Sequence, residues 1–481
     1  MSTPQTTLQP HASPTIDPAI DRPGRPHEGF VQRLVVQGFR PCAKLKPRRA
    51  LEIAGSPWSI GCETCDRGYV DFEQVGPHLG ELGAKAVRLQ AGWAKCEPHP
   101  DGIYRWDWLD RIIDSAVAQG VKPWLETSYG NPGYANGGGI GLSQGIPTGT
   151  ALPAWDAWVQ ALAERYHDRV ETWEIWNEPD HNDTLTPEAY ADFFIRTATI
   201  IRGVQPDACI IGLALAGPLT YAEAFLKRLA NLGQGQLLNR LAFHYYPHNP
   251  DHHVDHVVNT VRELLQQYAP HAVPYQGETG APSETTGFLA MRHHEWSERK
   301  QAVWNLRRLL AHHARGVGMN LFQLADMQYE RQQGALFHGR NAKGQLSIHH
   351  DRTVAHRKAS YAMAQHVFTT LDDRYPLVAL EPLHKPGAAP WQQFAWTPRH
   401  ADQPDLVSWW NASDAPTLTT FGLWQVSNLT PVPLADPVLL DWLSGTVFEP
   451  PVTGEPLWQR LPLADTPFAL AERGSLNLQI T

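Results

Sequence analysis

No run of about 18 apolar residues occurs anywhere in the 481 residues, so nothing in the sequence reads as a membrane-spanning helix. Positive charge is not in excess. The formal net charge is −9, which removes the electrostatic reason to bind nucleic acid or an anionic membrane. Cysteine is scarce. The five, Cys42, Cys62, Cys65, Cys96 and Cys209, are odd in number and scattered, and they read as reduced thiols. Cys62-x-x-Cys65 has no second pair and no histidine at ligand spacing, so it reads as two ordinary buried cysteines and not as half a zinc site. The opening segment MSTPQTTLQPHASPTIDPAIDRPGRP lacks a basic start followed by an apolar run. No secretory signal is expected there, residues 1–27 are expected to be a disordered Pro-rich tail, and a cytoplasmic location is expected. No Gly-rich phosphate turn follows an early strand, which counts against a doubly wound dinucleotide fold. No Schiff-base lysine and no His/Asp metal cluster falls at a predicted strand end, so neither metal nor cofactor is expected.

What remains is ample material for a core. Hydrophobic residues make up 42% and charged residues 19%. From about residue 57 to 370 apolar runs alternate with amphipathic helical patterns, the signature of a parallel α/β sheet. The runs are WSIGCET, AKAVRLQ, VKPWLET, VETWEIWNE, ACIIGLA, LLNRLAFHYY, VPYQGE and VGMNLFQLAD. Eight strands, with helices such as WDWLDRIIDSAVAQG (closed by Gly120) and the segment opened by Thr186-Pro187, predict a (β/α)8 barrel. Beyond about residue 375 short β-rich segments (LVSWWNAS, TLTTFGLW, LNLQIT) alternate with turn residues, which predicts an antiparallel β domain. FVQRLVVQGF, near residue 30, is a candidate extra strand for it. The expected division is 28–56 as an N-terminal segment joining the β domain, 57–372 as the barrel and 373–481 as the β domain.

The most informative stretch is VETWEIWNEPD. It reads as a buried strand stopped by Pro179, which leaves Asn177 and Glu178 at its tip. A carboxyl flanked by Trp173 and Trp176 sits where its proton affinity is raised, as a general acid near neutral pH requires. The seventh predicted strand ends on a second carboxyl, Glu278, in VPYQGETGAPS. Glu178 and Glu278 lie 100 positions apart, three βα units of roughly the length a barrel of about 250 residues allots to each. Two carboxyls across one barrel mouth are the equipment of a glycosidase.

Other strand ends complete a rim. His244 and Tyr246 alternate onto one face of FHYYP. Tyr246 is placed to hold Glu278, and Arg88 to keep it ionised. Glu63 and Glu126, at the ends of the first and third strands, are candidates to bond sugar hydroxyls, with ion pairs on barrel loops as the other reading. Asp326 ends the eighth strand. Trp93 is counted with the site because the 18 tryptophans crowd predicted strand ends, and aromatic faces suit the apolar faces of sugar rings. The Gly-rich insert NPGYANGGGIGLSQGIPTG is too long for a plain connection and reads as a lid or subsite wall. HNPDHHVDH reads as a solvated His-rich loop, with metal binding as the other reading.

These residues resemble the clan A glycoside hydrolases, retaining barrel enzymes with the acid/base on strand 4 and the nucleophile on strand 7. WEIWNEPD is the specific part of the match. The resemblance implies that Glu178 is the acid/base and Glu278 the nucleophile. It also implies that Asn177 binds the sugar 2-hydroxyl, and that Arg88 and Tyr246 are the strand 2 arginine and strand 6 aromatic. Within the clan the nearest resemblance is to family 39, which includes β-xylosidases and α-iduronidases. GWAKCEPHPDGIYRWDWLDRIID, FQLADMQYERQQGALFHG and RKASYAMAQHV are similar to that family's strand 2 loop, strand 8 exit and last helix. The chain departs from the pattern in two places. Small residues follow Glu278 where family 39 has an aromatic, and Phe322-Gln323 stands where many clan members place a tryptophan.

The expectation is an exo-acting retaining glycosidase for small glycosides or oligosaccharides, with a carbohydrate as its only partner. A homo-oligomer is left open. An endo-acting clan A glycanase and a non-catalytic carbohydrate-binding barrel are the alternatives.

Overall fold

The computed structural model describes residues 34–35, 37–285, 289–329, 339–383, 391–416, 424–426, 430–452, 457 and 461–480. Residues 1–27, half of the FVQRLVVQGF segment and most of the TLTTFGLW segment lie outside these. Within the 28–56 segment the described strand is β1 (Arg40–Leu45), which pairs with two strands of the second sheet.

Eight parallel strands close a barrel: β2 (Trp58–Gly61), β3 (Ala86–Gln90), β4 (Lys122–Glu126), β5 (Thr172–Ile175), β6 (Cys209–Leu215), β7 (Arg240–Phe243), β8 (Val273–Thr279) and β9 (Gly318–Leu321). Each coincides with one of the eight apolar runs. Period-2 alternation decides which side chains enter the barrel. In β5, Trp173 faces the outer helices and bonds Gln205 at 3.0 Å, whereas Glu174 points inward. The register sets Gln90, Glu126 and Glu174 side by side across β3, β4 and β5. Below them Trp124, Ile211, Ala242 and Tyr275 fill the barrel.

The helices begin where local chemistry satisfies their free N–H groups. Thr186 accepts from Ala189 N at the start of Pro187–Val204, and Ser297 accepts from Lys300 N at the start of Glu298–Ala314. The first connection departs from the pattern, using short turns at Phe72–Val75 and Leu79–Leu82 in place of one long helix.

The second sheet is antiparallel and seven-stranded. Its order is Trp391–Trp396, Leu406–Asn411, Phe468–Glu472, Pro437–Asp441, Thr446–Glu449, β1 and Leu478–Ile480. It packs on the helix Glu298–Ala314, which is buried on every side. Trp396 Nε1 donates to His313 Nδ1 at 2.8 Å, and Arg299 donates to Thr466 Oγ1 at 3.0 Å. The His-rich loop joins this seam: Asp251 accepts from Arg307 Nε at 2.8 Å and Trp410 Nε1 at 3.0 Å. These contacts make the loop part of the packing between barrel and sheet.

Candidate active site

The carboxyl ends of the strands open into a cavity of about 750 Å3. Glu63, Asn177, Glu178, His244, Tyr246 and Glu278 all line it. The strand that carries Glu178 ends in strain. Trp176 has φ 66° and Glu178 φ 46°, left-handed conformations uncommon for non-glycine residues and concentrated at functional sites. Pro179 then begins a short turn, Pro179–His181. This reversal aims the Glu178 carboxyl into the cavity.

Glu178 Oε1 and His244 Nδ1 share a hydrogen bond of 2.8 Å, and His181 Nε2 lies 3.3 Å from Oε2. Burial pushes the Glu178 carboxyl up to about 7, aided by the negative charges of Asp180 and Glu126 and opposed by His181 and Arg88. Burial also holds His244 down to about 4, so its imidazole is neutral. Glu278, at the end of β8, accepts from Tyr246 Oη at 2.7 Å and from Arg88 Nη1 at 2.9 Å. One donor per oxygen stabilises it as an anion. One oxygen of Glu178, one of Glu278 and a ring nitrogen of His244 all lie within 4.8 Å of one another.

Arg88 does not line the cavity but lies wholly buried beneath it, and each of its five N–H groups is used. Nε donates to Glu174 at 2.6 Å, Nη1 to Glu63 at 3.0 Å and Glu278 at 2.9 Å, and Nη2 to Asn177 at 2.9 Å and to Glu126. Asn177 is fixed on its other side by a 2.9 Å hydrogen bond to Tyr129 Oη.

The small residues after Glu278 have a packing reason. A Cβ on Gly280 would stand 1.9 Å from Phe322 O, so the ends of β8 and β9 approach too closely for any side chain. Phe322 lines the cavity next to them. Leu142 and Ser143 of the Gly-rich insert form part of the wall.

Three expected site residues lie elsewhere. Trp93 is wholly buried, stacked on Tyr134 at 5.2 Å with its Nε1 on Glu97 at 2.7 Å. It borders a smaller side chamber. Glu126 is sealed beneath the cavity, where Arg88, Gln90 and Ser128 all donate to it, and so cannot reach a sugar. Asp326 is buried under the loop after β9, ion-paired to Lys358 at 2.6 Å. The tryptophan expectation is corrected as well. Among the described lining residues the aromatics are tyrosines and Phe322, while Trp173 and Trp176 belong to the helix-facing layer. A strand-end tryptophan alternates outward as readily as inward, and composition cannot tell the two apart.

Lys343 is the residue that the strand-end logic misses, because it sits on a loop well past β9. Its ammonium lies 5.7 Å from the Tyr246 ring in the cavity wall. Burial lowers it to about 8, against the pull of Glu278 and Glu178. Gln90, Tyr129 and Tyr329 also line the cavity without having been anticipated.

Glu178, His244 and Glu278 are spaced closely enough to surround a metal ion. Two cations stand against that use, with Arg88 bonded to Glu278 and Lys343 beside it. His244 Nδ1 is also already engaged with Glu178.

The fold is an eight-stranded parallel barrel with an appended antiparallel sheet, and its rim brings two carboxyls into one cavity, as the resemblance to clan A glycoside hydrolases leads one to expect. Residues 64–269 match the family model of glycosyl hydrolases family 39. A β-xylosidase from Caldicellulosiruptor saccharolyticus is 26% identical over 188 residues, covering 35% of this chain and 37% of that protein. A β-xylosidase from Geobacillus stearothermophilus is 27% identical over 130 residues, covering 24% and 25%. The matches thus span between a quarter and little more than a third of these relatives' length. Among solved structures, a family 39 glycoside hydrolase from Bacteroides cellulosilyticus WH2 superposes with a TM-score of 0.64 at 18% identity, covering 87% of this chain and 81% of that one. A monomeric β-xylosidase from Caulobacter crescentus gives 0.52 at 17%, covering 80% of each. The chain is similar to family 39 in sequence and fold. No helix among the described residues is long and apolar enough to cross a membrane.

Proposed function

We propose that the protein is a retaining, exo-acting glycoside hydrolase for small glycosides or oligosaccharides, β-xylosidase-like in its preference. The observation that carries this reading is the pairing of two unlike carboxyls in one cavity, with oxygens within 4.8 Å of each other. Retaining enzymes hold their carboxyl groups about 5–5.5 Å apart, and inverting ones about 6.5–9.5 Å with a water between.

The environments divide the roles. Glu278, charged and held by Tyr246 and Arg88, attacks the anomeric carbon. Glu178, whose carboxyl burial keeps protonated up to about pH 7, donates that proton to the leaving oxygen. Deprotonated, it then draws a proton from water, which attacks the glycosyl ester and restores Glu278. Asn177, clamped between Arg88 and Tyr129, is fixed to bond the hydroxyl next to the anomeric carbon. The matches to β-xylosidases support the xylose-like preference. A cavity closed on one side by the insert supports action at a chain end. In this reading the barrel, 57–372, carries the reaction, and the β domain braces its last two helices.

The test is nitrophenol release from a panel of aryl glycosides (β-xyloside, β-glucoside, β-galactoside, α-arabinoside, β-glucuronide, α-iduronide) with E278Q beside the wild type. Turnover of one glycone, lost by orders of magnitude in E278Q, is the expected result. Equal rates would remove Glu278 from the mechanism. Silence across the panel and on oligosaccharides would leave a binding barrel.

A further inference from the structure

Four carboxyls bond one guanidinium: Glu63, Glu126, Glu174 and Glu278 all accept from Arg88. If all were ionised, the cluster would carry a net charge near −3 on buried groups, a state whose desolvation cost no single arginine offsets. Some of the four must therefore hold protons, and the hydrogen bonds show which. Glu126 accepts on both oxygens, from Arg88 on one side and from Gln90 and Ser128 on the other. Glu278 also accepts on both. Glu63 and Glu174 each accept on one oxygen only. Glu63 Oε2 and Glu174 Oε1 are buried without a donor among the described residues. An unsatisfied charged carboxylate oxygen is expensive, and a proton on it removes the charge that makes up most of the cost. With Glu126 and Glu278 ionised, the charges of Arg88 and nearby Lys343 balance them.

Resting on the glycosidase reading, we propose that Glu63 carries a proton in the active enzyme and is a positioning residue for the nucleophile. Arg88 Nη1 serves both Glu63 Oε1, at 3.0 Å, and Glu278 Oε2, at 2.9 Å. While Glu63 is neutral, the arginine's charge is drawn to Glu278, and the attacking carboxylate is held in register with the sugar. Once Glu63 ionises, it competes for the same Nη1 and sets a second negative charge against Glu278. Glu174 is protonated too, but it is sealed in the floor. Glu63 lines the cavity, so its proton exchanges with solvent.

The groups that face Glu63 come from every side: Arg88 on β3, Glu126 on β4, Glu174 on β5, Tyr246 beyond β7, Glu278 on β8 and Cys62 on its own strand end. Only Arg88 is a cation. Burial, with Glu278 and Glu126 adding to it, pushes the Glu63 carboxyl up to about 8 against that charge and a hydrogen bond from its own backbone.

The experiment is kcat/KM against pH for wild type and E63Q, on whichever aryl glycoside the panel identifies. Two protons, on Glu178 and on Glu63, are then required on the alkaline side, so the wild-type limb steepens to a slope of about −2. Glutamine cannot ionise, and E63Q returns the slope to about −1. A wild-type slope of −1, or a slope of −2 that persists in E63Q, overturns the proposal. If E63Q does not fold, the wild-type slope decides. A second measurement needs no turnover: the infrared carbonyl band of protonated carboxyls, recorded on the whole protein at neutral pH. It is expected to lose a component in E63Q, and an unchanged band overturns the proposal. A band that changes in a protein silent on every glycoside would sink the glycosidase reading and leave the protonated Glu63 standing.

Discussion

Tyr246→Phe isolates one hydrogen bond. The hydroxyl donates to Glu278 Oε1 at 2.7 Å, while the ring, which phenylalanine keeps, packs beside Met291, Trp296 and Trp304 and faces Lys343. The change therefore removes a donor without opening a cavity. A hydrogen bond to a charged group is worth about 1.5–3 kcal/mol, more than a neutral one. In the proposed mechanism that bond fixes the attacking carboxylate, so its loss is felt as the bond to the anomeric carbon forms. At about 1.4 kcal/mol per factor of ten, kcat/KM should fall roughly 10- to 150-fold. The assay is initial-rate hydrolysis of the aryl glycoside the enzyme prefers, with a thermal melt beside it. A fall of less than about threefold in a normally folded variant would refute the claim that Tyr246 positions the nucleophile. A large fall with a collapsed melting transition would show instead that the hydroxyl serves the fold.

Two further substitutions separate function from stability. E178Q should lose about 10²–10⁴ in rate on glycosides with poor leaving groups and far less on dinitrophenyl glycosides, which need no acid. It should also gain stability at pH 8 but not at pH 4. The buried carboxyl holds its proton to about 7 against an ordinary value of 4.5, so the folded state binds more protons than the unfolded one between them. Stability therefore drains away as pH rises through that window, by about 3 kcal/mol in all. Melting curves that shift equally at both pH values would contradict this. D326N breaks the buried pair with Lys358 and should cost about 3–5 kcal/mol of stability while leaving KM in place. A raised KM with an unchanged melt would return Asp326 to the substrate site.

The barrel was legible because a parallel strand buried on both faces reads as an apolar run, and all eight runs survive as strands. Glu178, Asn177 and Glu278 were legible for a related reason: each is a polar residue standing where an apolar run is cut off by proline or glycine. Glu126 and Asp326 also end apolar runs, yet both are sealed away from the cavity. A strand end marks the right level of the barrel but not whether the next layer covers it. Lys343 was invisible to this logic, since its loop comes back over the mouth only after β9 has ended. Trp93 and the strand 4 tryptophans misled because large aromatics pack between strand and helix as readily as they line a sugar site.

Glu174 shows how much of the site depends on residues that carry no sequence signal at all. It sits mid-strand among Trp173 and Ile175, and period-2 alternation is the only reason it points at Arg88 and not at a helix. From there it takes the arginine's Nε and leaves the two Nη groups to face upward. One serves Glu63 and Glu278, the other Glu126 and Asn177. The guanidinium is planar, so fixing Nε fixes the direction of both forks. The position of Glu278 is thereby tied to a carboxyl that never meets the cavity. A lysine at position 88 would supply the charge without the plane. Its three donors could not hold all five acceptors, and Glu278 would keep its neighbouring positive charge while losing its register with Asn177.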